Sequence, residues 1–270
     1  MVKKKLKKVI LGMALKILRS YFKNSNYSIF LFDRTKKEIR PFLWFPRYLP
    51  KKNDESTKSA TNDWINFKDQ FSYNDTVVFD VGAAVGSTSR LFSKKASKVY
   101  SFEPNLENFN AFKDIIFIEK INNIELYNFA VSNQNSDLKF YNRESHGIHS
   151  LGKHPKGKVL EISNITTIKL DDFYRKNFYN NEKIGLLKID TEGFEYEVLD
   201  GAKDLLKNKT ITSIIFEHSK SLLDTLGKDA NLVFKLLEEY EYKVYDYNGN
   251  LFDYTKDSYN EISDFFATIK

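Results

Sequence analysis

One stretch, residues 76–117, constrains the fold more than any other part of the chain. It opens with a short apolar, β-branched run at 77–81 that ends in glycine, and a helical segment follows. A second apolar run at 99–102 ends at Glu103, and apolar residues then recur at helical spacing over 106–117. Two strands joined by one such helix predict a right-handed βαβ unit in a parallel sheet, with a ligand crevice at the carboxyl ends of the strands.

The residues of this unit that carry chemistry fall at the predicted crevice. Asp80, Gly82 and Gly86 form the pattern Asp-x-Gly-x-x-x-Gly, with Ala83 inside the turn. Glycine lets the backbone turn sharply and approach a ligand closely. Glu103 follows about twenty residues later, where an acidic side chain accepts hydrogen bonds from a ribose diol. The pattern therefore predicts that the turn and Glu103 bind an adenosine.

The absence of two nucleotide-binding motifs narrows the class of adenosine-containing ligand. The chain contains neither Gly-x-Gly-x-x-Gly nor Gly-x-x-x-x-Gly-Lys-Ser/Thr. Asp80 would repel a pyrophosphate but attract an ammonium group, so a cationic adenosine derivative such as S-adenosylmethionine fits better than NAD. Two alternatives stay open at this point. In the first, the glycines only allow the backbone to turn and bind no ligand. In the second, the sheet belongs to a nucleotide-sugar enzyme, which would need a diphosphate-binding loop.

Three sequence blocks, 79–86, 99–105 and 188–201, carry a family resemblance. They read Phe-Asp-Val-Gly-Ala-Ala-Val-Gly, Val-Tyr-Ser-Phe-Glu-Pro-Asn, and Lys-Ile-Asp-Thr-Glu-Gly-Phe-Glu with a later Val-Leu-Asp-Gly. In order and spacing they resemble the FkbM family of S-adenosylmethionine-dependent methyltransferases, over about residues 76–218. Ala84 stands where the family usually carries asparagine. The resemblance implies a class I methyltransferase: an α/β, doubly wound, Rossmann-like fold with a mostly parallel seven-stranded sheet and one antiparallel strand in its closing pair.

Further cofactor contacts are expected beside the first two strands. Pro104 and Asn105 end the second block and are predicted to line the cofactor site. A third parallel strand is expected at 124–129, which places Asn128 and Ser132 near the adenine edge.

Two more strands are expected to bring acidic residues to the same crevice. The run 184–190 ends at Asp190, and the run 210–216 is followed by Glu217 and His218. These three side chains are candidates for a general base, an orienting group, or ligands of a hard metal such as Mg²⁺. Asp190 is our preferred catalytic base, with a histidine partner, and it also borders the cofactor.

Glu192 is expected to bind substrate or to brace its own loop. A polar loop at 143–158 contains His146, His149 and His154. It is predicted to bind substrate through His149 and to supply a general base from His146 or His149. A metal site and three solvated histidines are the alternatives.

Composition separates the amino-terminal segment from the rest of the chain. The net charge is +6, but residues 1–23 hold eight basic residues and no acid, so the remainder carries −2. Nucleic-acid binding by the main body is therefore not supported. The chain has no cysteine, which excludes disulfides and thiolate metal sites and fits a cytoplasmic protein. No apolar run reaches the ~20 residues that a membrane span needs.

Residues 1–23 combine apolar and basic residues at helical spacing, which predicts a basic amphipathic helix. Such a helix binds an anionic membrane surface. Packing on its own domain or on a second subunit, a cleaved signal, and a nucleic-acid arm are the alternatives. An extension and linker is expected at 24–62, with strands at 27–32 and 42–45, and a methyltransferase domain at 63–270.

The sequence as a whole predicts an S-adenosylmethionine-dependent O-methyltransferase. Members of the resembled family methylate sugars, lipid-linked glycans and macrolide hydroxyls, so the expected acceptor is a hydroxyl of a sugar, glycan or glycolipid. DNA N-methylation is disfavoured because Asn/Asp-Pro-Pro-Tyr is absent. The alternative from another class is an assembly protein that binds the cofactor without catalysis.

Overall fold

The computed structural model describes residues 30–33, 38–41, 73–143, 151, 159–257, 259 and 262–269. The chain divides into two compact units, residues 1–55 and 56–270. In the first unit, β1 (Phe30–Asp33) and β2 (Glu38–Pro41) pair antiparallel. The expected strand at 27–32 overlaps β1, whereas the expected strand at 42–45 and the predicted helix at 1–23 lie outside the described residues.

The second unit contains the larger sheets and all the described helices. Its strands are β3 (Val77–Val81), β4 (Lys98–Phe102), β5 (Ile124–Tyr127), β6 (Ala130–Val131), β7 (Ser136–Arg143), β8 (Val159–Ile168), β9 (Ile184–Ile189), β10 (Ser213–Ser219), β11 (Lys243–Tyr245) and β12 (Ile262–Thr268). Its helices are α1 (Ser87–Phe92), α2 (Leu106–Glu119), α3 (Leu170–Asn177), α4 (Glu195–Asp200), α5 (Lys203–Lys207), α6 (Lys220–Thr225) and α7 (Leu232–Glu239).

Seven strands form the central sheet in the order β11-β12-β10-β9-β3-β4-β5. All neighbouring pairs from β10 to β5 are parallel, and β12 runs antiparallel to both β10 and β11. The order reverses beside β3, which creates the crevice of a doubly wound sheet at the carboxyl ends of β3 and its neighbours. The predicted fold is therefore confirmed, including the antiparallel strand in the closing pair.

The two central strands, β3 and β9, are buried at every position. Strands covered on both faces have continuous apolar sequences instead of alternating ones, which is the pattern seen in this chain. Asp80 and Lys188 are the charged exceptions in these strands, and both are fully enclosed.

The ends of three elements are fixed by local contacts. Helix α1 starts after Gly86, which has φ +84° and gives no side-chain cap. Helix α2 is capped by Asn105, whose Oδ1 accepts a hydrogen bond from the Asn108 N–H. Strand β10 extends to Ser219, which puts residues 217 and 218 inside the strand.

A smaller three-stranded sheet follows the βαβ unit in the chain. It has the order β6-β8-β7, and β7 and β8 form an antiparallel pair. Its two long strands, β7 and β8, precede and follow the histidine-containing loop in the sequence. Among the described residues, no helix has both the length and the apolar character needed to cross a membrane.

Candidate active site

A pocket opens at the carboxyl ends of β3, β4 and β9. Its empty space of about 650 Å³ includes open solvent at the mouth of the pocket. The β4 side is lined by Glu103, Pro104 and Asn108, and the β9 side by Asp190, Thr191 and Glu192. The remaining lining residues are mainly apolar: Val81, Gly82, Ala84, Phe102, Ala130, Val131, Phe140, Leu151 and Phe194.

The glycine turn after β3 is packed closely against its neighbours. Gly82 has φ +78°, and a Cβ at this position would lie 1.8 Å from the backbone oxygen of Asp190. A Cβ at Gly86 would lie 2.0 Å from the Phe112 ring. Gly82 lines the pocket as predicted, whereas Gly86 packs on α2 and Ala83 packs in the core. The glycine at 86 is therefore required by helix packing rather than by a ligand.

Ala84 adopts a conformation that suits glycine or asparagine. Its φ is +47°, in the left-handed region that costs other L-residues ~1–2 kcal/mol. In this conformation the Ala84 N–H donates to Glu103 Oε2 at 2.7 Å. The strained turn thus connects the end of β3 to the end of β4.

Glu103 is the buried acid that the sequence assigns to the ribose. The residue is 4% exposed, and its Oε1 accepts from the Asn105 N–H at 2.8 Å. Burial raises the pKa of Glu103 to about 7, against the opposing hydrogen bonds from Asn105, Ala84 and the Asn108 side chain. A carboxylate has about four lone-pair sites, so acceptor capacity remains for ligand hydroxyls in the pocket.

The predicted contact between Asp80 and a ligand ammonium is wrong. Asp80 has no exposed surface, and its Oδ2 accepts from Ser89 Oγ at 2.5 Å. Its Oδ1 lies 3.1 Å from Lys188 Nζ, which is also 3.5 Å from Asp190 Oδ2. Burial alone would lower the pKa of Lys188, but the charges of Asp80 and Asp190 outweigh it and raise that pKa. Asp80 therefore holds an internal cation below the turn.

Asn105 and Ser132, which the sequence assigns to the cofactor site, do not line the pocket. The Asn105 side chain caps α2 and donates from Nδ2 to Asn142 Oδ1 at 2.8 Å. Ser132 is 2% exposed and does not line the pocket. Asn128 is exposed, and its Nδ2 donates to the Glu103 carbonyl at 2.9 Å, so it supports the loop after β4. Pro104 lines the pocket as predicted.

Three carboxylates converge on the β9 side of the pocket. Oxygens of Asp190, Glu192 and Glu217 lie within 4.8 Å of one another. Burial raises the pKa of Glu217 to about 10, and the charges of Asp190 and Glu192 contribute to the shift. Burial and the neighbouring charges thus favour the protonated form of Glu217, which makes it a poorer base than a free carboxylate.

The prediction that His218 belongs to this cluster is wrong. Side chains alternate across a strand, so Glu217 and His218 point to opposite faces of β10. His218 has no exposed surface, its ring lies 4.9 Å from that of Phe234, and its Nε2 lies 3.1 Å from Tyr259 Oη. Burial lowers the pKa of His218 to about 4, which keeps the ring neutral. His218 is therefore neither a base nor a metal ligand for the pocket.

The loop that carries Glu192 is braced from two sides. Glu195 Oε1 accepts hydrogen bonds from the Thr191 N–H at 3.1 Å, from Thr191 Oγ1 at 2.9 Å and from the Gly193 N–H at 3.1 Å. Lys228 Nζ donates to the Gly193 carbonyl at 2.7 Å. Glu192 itself has φ +55°, so the loop holds it in a left-handed conformation while it lines the pocket.

The predicted histidine loop lies outside the described residues, and with it His146, His149 and His154. Two described residues near this loop in the sequence contact the pocket. Phe140 of β7 and Leu151 both line the pocket. The β7–β8 hairpin therefore borders the site, and a catalytic or substrate role for the histidines stays a prediction.

Sequence reasoning missed several residues in and around the site, among them Lys188 below the turn and the pocket residues Asn108, Phe140 and Leu151. Lys188 had a usable signal, because lysine inside an apolar strand is rarely buried unless it is paired. Asn108 had none, since a polar residue in a first helical turn is usually solvent-exposed. Phe140 and Leu151 reach the pocket only through the pairing of β7 with β8.

Comparison with known proteins identifies the family. Residues 80–244 match the methyltransferase FkbM domain, which is more than half of the chain. The chain belongs to the FkbM methyltransferase family. The resemblance of the three sequence blocks is thereby confirmed.

This FkbM-family chain is also similar to the hexuronic acid methyltransferase AglP of Haloferax volcanii. The two are 30% identical over 166 residues, which cover 61% of this chain and 62% of AglP. The chain therefore spans less than two thirds of the length of that relative.

Two solved structures resemble it at lower identity. One is the methyltransferase FkbM from Methylobacillus flagellatus, with 16% identity, a TM-score of 0.47, and coverage of 73% of this chain and 44% of that one. The other is a putative methyltransferase from Streptococcus mutans in complex with SAH, with 11% identity, a TM-score of 0.46, and coverage of 77% and 97%.

Proposed function

We propose that this FkbM-family protein transfers a methyl group from S-adenosylmethionine to a hydroxyl group of a sugar. The observation that carries the proposal is that Glu103 and Asp190, on opposite sides of β3, line one pocket. An adenosine-binding acid and a candidate base thus share one cavity. The similarity to a hexuronic acid methyltransferase supports a sugar acceptor.

The β4 side of the pocket suits the adenosine part of the cofactor. Glu103 offers acceptor sites to a ribose diol, and apolar side chains such as Phe102 and Val131 line the same pocket. When bound, S-adenosylmethionine supplies a methyl group that an oxygen nucleophile attacks in line. The residues of the pocket have to bind and orient the acceptor, which by alignment alone contributes ~7 kcal/mol or more to the lowering of the barrier.

Asp190 is the base that this arrangement favours. A sugar hydroxyl has to lose a proton as it attacks, and a positioned base contributes ~10²–10⁴-fold in rate. Asp190 lines the pocket with 32% of its side chain exposed and is paired with Lys188. Glu217 is unsuitable at neutral pH because its pKa is about 10. Glu192 lines the same side and is placed to orient the acceptor.

The acidic side of the pocket favours a hydroxyl acceptor over a carboxylate. A hexuronic acid offers both groups. Two like charges at about 4 Å repel by ~1 kcal/mol in water and by ~4 kcal/mol near a protein surface. Asp190 and Glu192 would therefore disfavour a carboxylate in the position of attack, whereas they accept hydrogen bonds from a hydroxyl.

A divalent cation is a further candidate on the β9 side. The side chains of Asp190, Glu192 and Glu217 offer the oxygen ligands that Mg²⁺ prefers, with Glu192 in place of the predicted His218. A bound cation would favour the ionised form of Glu217, which the apposed acids alone disfavour. Such an ion would lower the pKa of an acceptor hydroxyl when bound. The methyl-transfer assay with Mg²⁺ and with EDTA tests this part of the proposal.

Labelled methyl transfer tests the proposed function. The purified full chain is incubated with S-adenosylmethionine that carries an isotopic methyl group, and with glycosides of a hexuronic acid and of the matching neutral hexose. The label should enter an acceptor and should resist mild alkali, because an ether is stable where a methyl ester is hydrolysed. Alkali-labile product would show carboxylate methylation, and no transfer to any sugar would refute a sugar acceptor.

Membrane-surface contact through residues 1–23 remains part of the proposal because of their eight cations. Sedimentation with anionic and with neutral phosphatidylcholine vesicles tests it. The full chain should sediment with the anionic vesicles alone, and a chain lacking residues 1–23 should remain in the supernatant.

A further inference from the structure

Asn108 has a buried side-chain oxygen that lacks a hydrogen-bond donor in the described part of the chain. The residue lies in the first turn of α2, is 2% exposed and lines the pocket. Its Oδ1 is enclosed and has no partner among the described groups. Buried polar atoms in proteins are almost always hydrogen-bonded. The unsatisfied oxygen therefore points to a donor that the described residues do not supply.

The orientation of the Asn108 amide is fixed by its other contacts. Its backbone N–H donates to the capping oxygen of Asn105 at 2.9 Å. The Asn108 side chain lies close enough to the Glu103 carboxylate to lower the pKa of that group by hydrogen bonding, and only the amide nitrogen can donate to a carboxylate. With the nitrogen directed at Glu103, Oδ1 is left as a free acceptor beside that carboxylate.

We propose that Asn108 Oδ1 accepts a hydrogen bond from a ribose hydroxyl of the bound cofactor. The inference rests on the proposed function, which places the ribose at Glu103. A ribose diol carries two adjacent hydroxyl donors, and Glu103 and Asn108 offer two adjacent acceptors on the same side of the pocket. Each acceptor then takes one hydroxyl. Asn108 is thus a residue that selects a ribonucleoside over a deoxyribonucleoside.

The binding partner is a ribose hydroxyl and not the adenine amine because of the contact with Glu103. Asn108 lies beside the Glu103 carboxylate, which is proposed to bind the ribose. A ligand group that reaches Asn108 Oδ1 is therefore part of the ribose or adjoins it. A buried water on Oδ1 is the competing explanation, and it has a different consequence. Loss of a water-binding residue would affect every adenosine ligand equally, whereas loss of a hydroxyl acceptor would affect only ligands that carry the hydroxyl.

Calorimetric titration of the full chain distinguishes these cases. The ligands are S-adenosylhomocysteine and its 2′-deoxy and 3′-deoxy analogues, and the variants are Asn108→Leu and the smaller Asn108→Ser. Asn123→Leu is the matched control. Asn123 Nδ2 donates to the carbonyls of Ser93 at 2.8 Å and Ala96 at 3.1 Å, and Asn123 does not line the pocket.

The proposal predicts that Asn108→Leu weakens S-adenosylhomocysteine binding about 3- to 12-fold, the effect of one hydrogen bond. The loss should fall below about twofold for one of the two deoxy analogues, and Asn123→Leu should change none of the three affinities. Equal weakening of all three ligands, or no weakening, would overturn the role of Asn108. Asn108→Ser gives the same comparison if the leucine variant does not fold. Failure of the wild-type chain to bind any of the ligands would instead refute the proposed function.

Discussion

Lys188 Nζ lies 3.1 Å from Asp80 Oδ1, and both side chains are enclosed in the central sheet. The same ammonium donates to the Gly82 carbonyl at 2.8 Å and lies 3.5 Å from Asp190 Oδ2. One buried cation therefore joins β3, the glycine turn and the end of β9. This contact explains why Asp80, which the sequence assigns to the ligand, is unavailable to it.

Lys188→Met should destabilise the fold strongly. Removing one partner of a buried ion pair leaves an uncompensated charge, which costs about 3–5 kcal/mol. The free energy of unfolding is measured by urea denaturation at pH 7. Lys256→Met is the control, because Lys256 pairs with Asp253 at the surface and its loss should have almost no effect. Equal stability of the two variants would contradict the structural role of Lys188.

Ala84→Gly should stabilise the protein. Glycine removes a left-handed strain of ~1–2 kcal/mol and loses ~0.5–1 kcal/mol through backbone entropy, so the net gain is up to about 1.5 kcal/mol. Ala84→Asn should also be tolerated, because asparagine enters this region readily. Ala96→Gly serves as the comparison. Ala96 has no positive φ, so this variant should be less stable than the wild type. Destabilisation of both glycine variants would show that the turn at 84 is unstrained.

Glu195→Gln should flatten the dependence of stability on pH. The folded pKa of Glu195 is about 7, above the ordinary 4.5, because the side chain is buried. The folded state thus binds the proton more tightly, and the stability present below pH 4.5 is lost as pH rises through 7. The difference of about 2.5 units corresponds to roughly 3 kcal/mol.

The glutamine keeps the single oxygen that accepts all three hydrogen bonds of the loop, so the charge alone is removed. Unfolding free energies at pH 4.5 and pH 8 should differ less in Glu195→Gln than in the wild type. Glu107→Gln, on the exposed first turn of α2, should follow the wild-type curve. Identical pH profiles for wild type and Glu195→Gln would refute the raised pKa.

Asp190→Asn should separate cofactor binding from catalysis. The shape of the side chain is kept while the base is lost, so turnover should fall ~10²–10⁴-fold. The affinity for S-adenosylhomocysteine should stay close to that of the wild type. Asp204→Asn, at an exposed position of α5, is the matched control and should keep full turnover. An active Asp190→Asn variant would place the base elsewhere.

The sheet could be predicted from the sequence because buried parallel strands leave continuous apolar runs, each ended by glycine or an acid. The mostly parallel seven-stranded sheet, its antiparallel strand in the closing pair and the crevice at the carboxyl ends of the strands follow from this pattern and from the family resemblance. The ends of the strands follow less closely from the sequence. The strand predicted at 210–216 continues to Ser219. Because His218 lies inside the strand, its side chain points to the opposite face of the sheet from Glu217 and away from the pocket.

Five residues that the sequence assigns to the site line the pocket, and their roles there stay predictions: Gly82, Glu103, Pro104, Asp190 and Glu192. Asp80 was misassigned because its position near the end of a strand does not reveal whether its side chain faces the pocket or the protein interior. Its partner Lys188 lies more than a hundred residues away, and only the pairing of β3 with β9 brings them together. Pocket residues contributed by the β7–β8 hairpin depend on tertiary contacts that no local pattern encodes.

Calorimetric titration of the full chain with S-adenosylmethionine and S-adenosylhomocysteine tests the central claim most directly. NADH and UDP-glucose are the control ligands, and Glu103→Ala is the control variant. We expect both sulfur ligands to bind the wild type at micromolar concentration and the controls not to bind. Glu103→Ala should weaken binding by about 1–3 kcal/mol through the lost ribose contacts. Absence of binding by either sulfur ligand, or binding of UDP-glucose in their place, would contradict the account.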